Sequence, residues 1–533
     1  MSEKLKVIDF FCGAGGFSEG FRQAGFDVIW AVDLWQPAVD THNENHPDGI
    51  TIKDDVIRLS NLPDEEFHNL IPDSEVIIGS PPCTAFSNSN KSGKGDKSKG
   101  IALFEAYLRI IARKKFKRNS ILKYWILENV PKVEKHLKEV YTAKDLKLSG
   151  NFELEVKRHN SGTYDVKYYG VPSSRVRYFC GEFPLPEAVL TDDQLMPLKT
   201  ILDSLGVPKE KTEANIIDPI YDISIKGKEV TDHHYIQELA DFEWKNAQRL
   251  KQDKGYMGKM SFPENLTKPG RTIMATMSHS ARESFILGTE DGKYRSPSIR
   301  EVASLMSFPI DYQFYATSIG TKYKLVGNAV PPKMSYALAK AILRTEEKSV
   351  RHKYVPIEHP KKINFINLNF TSPPINVEKP KRENSKFKYH VPYFIFNAYR
   401  VELTNKHSNF KRQIYRWKAE IHYSQGNRAK FFSPELHQID FDKEDLRIAN
   451  RFIANLRAFS HSKLQEAFCQ TKSYRMSKDM LGPYELLESI RSFLDANFTF
   501  TEKEPMVKIR TRKLKEVRRP IAIAYYILYK SIH

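Results

Sequence analysis

Short apolar runs divided by polar stretches mark the first part of the chain. Leu5-Lys6-Val7-Ile8-Asp9-Phe10-Phe11, Val28-Ile29-Trp30-Ala31-Val32, Val76-Ile77-Ile78 and Tyr124-Trp125-Ile126-Leu127 each predict a strand, and Thr51-Ile52-Lys53-Asp54 leads to another strand end. Runs that are apolar at nearly every position suit strands covered on both faces, the pattern of a parallel sheet. Helix-like spacing lies between them, in a run ending at Gly25 and an amphipathic run from Ile101 to Phe116. Phe152 to Val156 and Thr163 to Tyr169 read as further strands. Alternating strands and helices predict an α/β fold with a Rossmann-like core.

From about Glu182 to Ala281 prolines, acids and short polar runs dominate and no periodicity lasts, which predicts an irregular inserted domain. Regular signals return at Arg295 to Met306, where Ser298 suits a helix N-cap, and continue to a final helix from Lys333 to Leu343. Lys361 to Tyr389 is rich in Pro, Asn and Lys, as linkers are. Beyond it, strand-like runs (Tyr393 to Val401, Arg416 to Tyr423) mix with helix-like ones (Glu444 to Phe459, Pro483 to Ala496). The expected division is 1–183 and 291–344 for the α/β core, 184–290 for the insert, 345–389 for a linker and 390–533 for a mixed α+β extension.

Length and charge sharpen this division. A chain of 533 residues predicts two to four domains. Its net charge of +18 is concentrated late: residues 345–533 hold 36 Lys and Arg against 20 Asp and Glu. A basic surplus of this kind points to a polyanion or to a solubilising surface. The four cysteines (Cys12, Cys83, Cys180, Cys469) lie far apart without paired metal spacing, which fits a reducing cytosol and argues against a zinc site. Met1-Ser2-Glu3-Lys4 runs straight into the first strand with no secretory leader, and the apolar run Pro520 to Tyr529 is too short to span a bilayer.

Several stretches carry chemistry. Cys12-Gly13-Ala14-Gly15-Gly16 follows the first strand, and Asp33 closes the second. Strand, glycine turn, helix, strand and acid form the plan of a nucleoside site, in which the acid meets ribose hydroxyls. Asp55, at another strand end, is either a solvated turn acid or an acceptor for a ligand amine. Gly79-Ser80-Pro81-Pro82-Cys83 ends the Val76 strand; the prolines forbid helix and leave Cys83 on a stiff loop, either a buried turn thiol or a nucleophile. Asn88 to Gly100, rich in Ser, Lys and Gly, reads as a mobile loop. Glu128 leaves an apolar strand just before Asn129-Val130-Pro131 and suits a proton donor. Arg175 and Arg177 alternate with apolar residues and project from one strand face, where two guanidiniums can grip an anion or a carbonyl.

In this order the motifs resemble those of the DNA cytosine-5 methyltransferases, bacterial modification enzymes in particular. Ile8 to Phe17 is similar to the family's cofactor motif, Pro82-Cys83 with Phe86-Ser87 to its Pro-Cys loop, and Glu128-Asn129-Val130 to its Glu-Asn-Val motif. Arg175-Val176-Arg177, Arg300-Glu301 and Gly327-Asn328-Ala329-Val330 complete the set, over residues 5 to 344 outside the insert. Thr84 and Ser173 stand where the family usually has Gln; both positions support the loop or DNA contacts rather than bond making.

The resemblance implies an S-adenosylmethionine-dependent methyltransferase core in which 184–290 is the target-recognition domain, with Pro269-Gly270-Arg271-Thr272-Ile273 similar to the end of such domains. It makes Cys83 the nucleophile at cytosine carbon 6 and Glu128 the partner of ring nitrogen 3 and the exocyclic amine. Arg175 would hold the base carbonyl, and Arg177 would order Glu128 and the loop. S-adenosyl-L-methionine would lie against Phe11, Gly13, Gly15, Gly16, Phe17, Asp33, Leu34, Asp55, Val56, Pro81, Asn328 and Val330. Of these, Asp33 would take the ribose, Asp55 the adenine amine, and Asn328 and Val330 the methionine side, with Phe17 stacking nearby. No metal is implied. The implied partners are double-stranded DNA and a cognate restriction endonuclease, for a monomer in the bacterial cytoplasm at the nucleoid, without a membrane. A transfer RNA cytosine methyltransferase and a catalytically idle DNA-binding regulator remain alternatives at this stage.

Overall fold

In the strand β1 (Lys6–Phe10), Val7, Ile8 and Phe10 have no solvent exposure, so apolar layers must cover both of its faces. The computed structural model describes residues 4–82, 97–209, 212–252, 260–277, 281–359, 372–423, 430–456, 460–501 and 504–533. After β1 come α1 (Gly16–Ala24), β2 (Asp27–Asp33), α2 (Gln36–Asn45), β3 (Ile50–Lys53), α3 (Val56–Ser60), α4 (Asp64–Leu70) and β4 (Val76–Gly79). Next are α5 (Lys97–Lys115), β5 (Tyr124–Asn129), β6 (Val140–Thr142), β7 (Glu153–Glu155), β8 (Gly162–Asp165) and β9 (Val176–Glu182).

Seven strands form one sheet in the order β3-β2-β1-β4-β5-β9-β8. The first five are parallel; β9 runs antiparallel to β5, and β8 antiparallel to β9. On one face Ile8, Phe10, Ile77, Trp125 and Leu127 pack with Phe104, Tyr107 and Ile111 of α5. On the other, Val7, Ile78 and Ile126 pack with Phe17 and Phe21 of α1. Strand order reverses between β1 and β4, so the crevice at their carboxyl ends is the expected ligand position of a doubly wound sheet.

The insert is less irregular than its sequence. It holds α6 (Leu198–Leu205), the hairpin of β10 (Asn215–Ile217) and β11 (Ser224–Lys226), α7 (Asp241–Gln252) and β12 (Leu287–Gly288). Elements this short give too few periods for the pattern to register. After it come β13 (Tyr294–Arg295), α8 (Ile299–Leu305), α9 (Ile319–Asn328) and α10 (Pro332–Thr345). Ser298 caps α8 as expected, in a reciprocal capping box with Glu301. α10 covers the sheet face of α1 through Leu338 and Ile342.

Other boundaries differ from expectation. Helix α5 already includes 97–100, placed in a loop by their Ser, Lys and Gly content; the rest of that loop, 88–96, lies outside the described residues. The strand expected over Thr163 to Tyr169 stops at Asp165, whose carboxylate caps a 3-10 turn at Val166–Tyr169. The expected linker begins too early. Arg351 N–H donates to Ala24 O at 3.0 Å, and Tyr354 Oη to Asp311 at 2.9 Å, so 350–359 pack with the α/β core.

The chain divides into two compact units. The first comprises Met1–Leu239, Pro263–His279 and Glu283–Pro374; the second comprises Ala240–Phe262, Ser280–Arg282 and Ile375–His533. The stretch 184–290 is therefore shared between them, because α7 belongs to the second unit: Arg249 pairs with Glu488 at 2.6 Å and lies over the Tyr484 ring. That unit has a four-stranded antiparallel sheet, β14 (Lys388–His390), β15 (Tyr399–Thr404), β16 (Lys418–Tyr423) and β17 (Lys430–Phe432). Its helices are α11 (Lys443–Asn455), α12 (His461–Cys469), α13 (Lys472–Ser477), α14 (Pro483–Asn497) and α15 (Arg519–Ile532); a hairpin, β18 (Met506–Lys508) and β19 (Glu516–Arg518), precedes α15. The apolar run at Pro520 is α15, buried in this unit's core. Among the described residues, no helix is long and apolar enough to cross a membrane.

Candidate active site

The glycine turn follows β1. Phe11 and Gly13 have φ of 57° and 53°, and Gly15 has 84°. Gly15 and Gly16 are required by the protein itself. A Cβ on Gly15 would meet Tyr312 Oη at 2.4 Å, and one on Gly16 would meet Val330 O at 2.2 Å. Gly13 differs: the nearest atom to an added Cβ is Phe11 O at 4.0 Å, so this part of the turn faces open space. Asp33 Oδ2 accepts from Gly13 N–H at 3.0 Å and Oδ1 from Trp35 N–H at 2.8 Å. Burial raises the pKa of Asp33 against the lowering effect of these N–H groups.

Around the turn the expected residues divide. Leu34 is 61% exposed, a large apolar side chain held in water beside Asp33. Phe11 is half-buried. Asp55 caps α3, its Oδ1 accepting from Ile57 N–H at 2.8 Å, and Val56 behind it is buried. Val330 is buried with its carbonyl against Gly16, which joins the last motif to the first, whereas Asn328 is exposed. Phe17 does not face the crevice. The period of α1 turns it into the core, edge-on to Phe179.

Below the turn lies a buried polar chain that residue patterns did not reveal. Ser18 Oγ donates to Asp9 Oδ2 at 2.7 Å, Ser18 Oγ lies 2.9 Å from His42 Nε2, and His42 Nδ1 lies 2.8 Å from Thr51 Oγ1. Its members come from β1, α1, α2 and β3, so only the folded sheet brings them together.

The second centre lies where β4 and β5 end. Glu128 falls within β5, opposite Phe179 of β9, and is 4% exposed. Arg177, on β9, brings Nε to 3.1 Å from Glu128 Oε1. Ser80 Oγ donates to Glu128 Oε2 at 2.6 Å. Asn129 Nδ2 donates to the carbonyl of buried Pro81 at 2.7 Å, which ties the start of the Pro-Cys stretch to β5. Gly79 is needed beside it, since a Cβ there would meet the Tyr107 ring at 2.4 Å. Cys83 and Thr84 lie outside the described residues.

Arg175 and Arg177 meet different partners. Arg175 precedes β9 and is buried; its Nη1 donates to Ile273 O at 3.1 Å and its Nη2 to Ala329 O at 3.2 Å. It joins the segment after Gly270 to the segment before α10. Ser173 works at the same seam, its buried hydroxyl donating to Leu305 O at 2.7 Å. Arg300 is wholly buried and donates to the carbonyls of Thr231 and Pro309. Glu301 receives both Arg295 nitrogens, at 2.7 and 2.8 Å. The Arg-Glu motif is thus a core brace. Among the described residues, no group of three or more His, Cys, Asp or Glu could hold a metal ion.

A doubly wound sheet with a glycine turn and acid at β1 and β2, and a buried Glu-Arg pair beside Ser80 and Pro81, is the arrangement of an α/β enzyme with room for a nucleoside-type cofactor. The description of the C-5 cytosine-specific DNA methylases matches residues 5–344, and the chain belongs to this family. It is a DNA methyltransferase that acts at carbon 5 of cytosine. Over 361 residues it is 29% identical to the type II methyltransferase M.MthTI of Methanothermobacter thermautotrophicus, covering 64% of this chain and 98% of that one. It is also 29% identical, over 365 residues, to the type II methyltransferase M.FnuDI of Fusobacterium nucleatum, covering 64% and 95%. A crystal structure of the Dnmt2 methyltransferase of S. pombe is 17% identical with a TM-score of 0.43, covering 64% and 99%. Residues 345–533 lie outside the family match.

Proposed function

We propose that this protein methylates a specific duplex DNA sequence with S-adenosylmethionine as methyl donor, protecting host DNA from a restriction endonuclease directed at the same site. The observation that carries the reading is the Glu128 carboxylate, buried and held between Arg177 and Ser80 at the sheet end that leads to Cys83. The cofactor reading rests on the fit of the glycine turn. The open space at Gly13, the half-buried Phe11, the exposed Leu34 and the Asp33 carboxylate together suit an adenosine. Asp55 and Val56 would border the adenine, and Pro81, Asn328 and Val330 the methionine end.

A cytosine inside a duplex is out of reach, so the target base is flipped out of the stack. Cys83 as thiolate bonds to carbon 6 while Glu128 delivers a proton to ring nitrogen 3, leaving electron density on carbon 5. Bound S-adenosylmethionine supplies the electrophilic methyl group that carbon 5 accepts. Loss of the carbon 5 proton to a base then expels Cys83 as thiolate, the nitrogen 3 proton returns to Glu128, and the ring is restored. Arg177 holds Glu128 in position beside the base. Arg175, engaged with two backbone carbonyls, positions the segments around the site in place of contacting the base. The enzyme acts as a monomer in the bacterial cytoplasm, at the nucleoid, and the basic second unit grips flanking phosphates.

Tritiated methyl transfer to duplex DNA tests the reading: the wild-type chain transfers label and Cys83→Ser does not. Bisulfite sequencing of treated plasmid gives the site. Transfer to RNA with none to duplex DNA, or undiminished transfer by Cys83→Ser, would overturn it.

A further inference from the structure

A groove of about 490 Å³ lies in the first unit between helix α10 and the strap at 184–196. That volume is in the range of sites for drug-sized ligands. Its walls include Leu185, Val189, Ile220 and Ala337, and Leu185 and Val189 are 62% and 53% exposed. Large aliphatic side chains at the mouth of a cleft are exposed without partners, and the apolar surface favours an apolar occupant.

The groove's charged lining is predominantly basic. Lys333 and Lys340 line it from positions two turns apart on α10. The Lys333 ammonium lies 4.1 Å from the Tyr221 ring centroid and 5.6 Å from that of Tyr336. Among the described residues neither lysine has a carboxylate partner. The nearby acid, Asp218, is already occupied: it accepts from Ile220 and Tyr221 N–H with one oxygen and from Ile310 N–H with the other. Arg344 and Glu187 at the rim neutralise each other. Burial lowers the Lys333 pKa to about 8, partly offset by Asp218. An ammonium taken from water with only ring faces as partners is a costly arrangement that an anion would relieve.

We propose that this groove binds a small amphiphilic anion, its carboxylate or phosphate head at Lys333 and its apolar body against Leu185, Val189 and Ala337. None of these residues belongs to the site that handles cytosine or the methyl donor. The same helix nevertheless links the two regions, because α10 begins two residues after Val330, whose carbonyl packs on Gly16.

The test uses the full chain and 8-anilinonaphthalene-1-sulfonate, an aromatic anion whose fluorescence rises in apolar sites. Lys333→Met keeps the apolar stem and removes the charge; Leu185→Glu is an exposed change that sets a carboxylate at the mouth. Each should weaken probe affinity by about tenfold. Val377→Glu, at a 79% exposed position outside the groove, should leave affinity unchanged. Octanoate and octyl phosphate should displace the probe and octanol should not; the stronger of the two acids identifies the head group. Wild-type affinity in both groove variants, an equal loss in Val377→Glu, or displacement by octanol as strong as by octanoate would overturn the proposal. Displacement by an acidic peptide with both octyl acids inert would assign the groove to a protein segment, and would overturn it as well.

Discussion

Arg177 Nε lies 3.1 Å from Glu128 Oε1, an ion pair between neighbouring antiparallel strands, with the carboxylate 4% exposed. A buried acid of this kind keeps its orientation only while its donors remain. Arg177→Met is expected to lower the methyl-transfer rate by about two to three orders of magnitude, in line with loss of a preorganised donor. Arg177→Lys should recover only part of it, since a single ammonium cannot reproduce the guanidinium fork. Single-turnover methylation measures both. Near-wild-type turnover in Arg177→Met would remove Arg177 from the site.

Ser80 holds the other oxygen of the same carboxylate at 2.6 Å. A hydrogen bond to a charged group contributes about 1.5–3 kcal/mol. Ser80→Ala should therefore lower the melting temperature by a few degrees and, by releasing that oxygen, slow methyl transfer by roughly tenfold or more. Loss of folding with no specific kinetic effect would show that Ser80 serves the strand end instead.

Asn129 ties Pro81 to β5. Asn129→Ala is expected to loosen the Pro-Cys stretch and reduce covalent capture of DNA carrying 5-fluorocytosine, with cofactor affinity by calorimetry retained. Capture at the wild-type rate would argue against this anchoring role.

Asp9 is buried, and desolvation is the main cause raising its carboxyl to about 8. The unfolded value is near 4. Between pH 4 and 8 the unfolded chain releases this proton while the folded chain keeps it. The group's contribution is thus complete below pH 4 and is lost as pH rises to 8, at about 1.4 kcal/mol per pH unit. Asp9→Asn should flatten this slope in urea unfolding followed by tryptophan fluorescence. Parallel slopes for the two proteins would refute the assignment.

Lys322 and Asp232 form a buried ion pair at 2.5 Å. Removing one member of such a pair leaves an uncompensated charge. Lys322→Met should cost about 3–5 kcal/mol, and Lys322→Met with Asp232→Leu should cost less. Chemical denaturation of the single and double variants decides between them.

On the second unit Arg512, Lys513 and Lys515 are exposed between β18 and β19. If they neutralise phosphates, changing all three to Gln lowers the slope of log affinity against log salt by up to about 0.9 for each phosphate no longer neutralised. An unchanged slope would free the hairpin from any role in DNA binding.

The linear chain alone determined the sheet strands and the motif residues. Val7, Ile78 and Leu127 belong to runs that must be covered on both faces, and the glycines, Pro81 and Glu128 stand where strands end. It failed where the cause lay in distant partners. The family resemblance puts Phe17 at the cofactor, but the turn of α1 points it at Phe179. Arg175 and Arg177 alternate identically in sequence, yet one is drawn to Ile273 and Ala329 and the other to Glu128. Helix α7 reads as part of the insert, but its partner Glu488 lies more than two hundred residues later. Local pattern reports which side chains must leave water and where the backbone must turn. Which polar group a buried arginine or carboxylate meets is decided by strands and loops far apart in the chain, and by the requirement that each buried charge find a partner when they close.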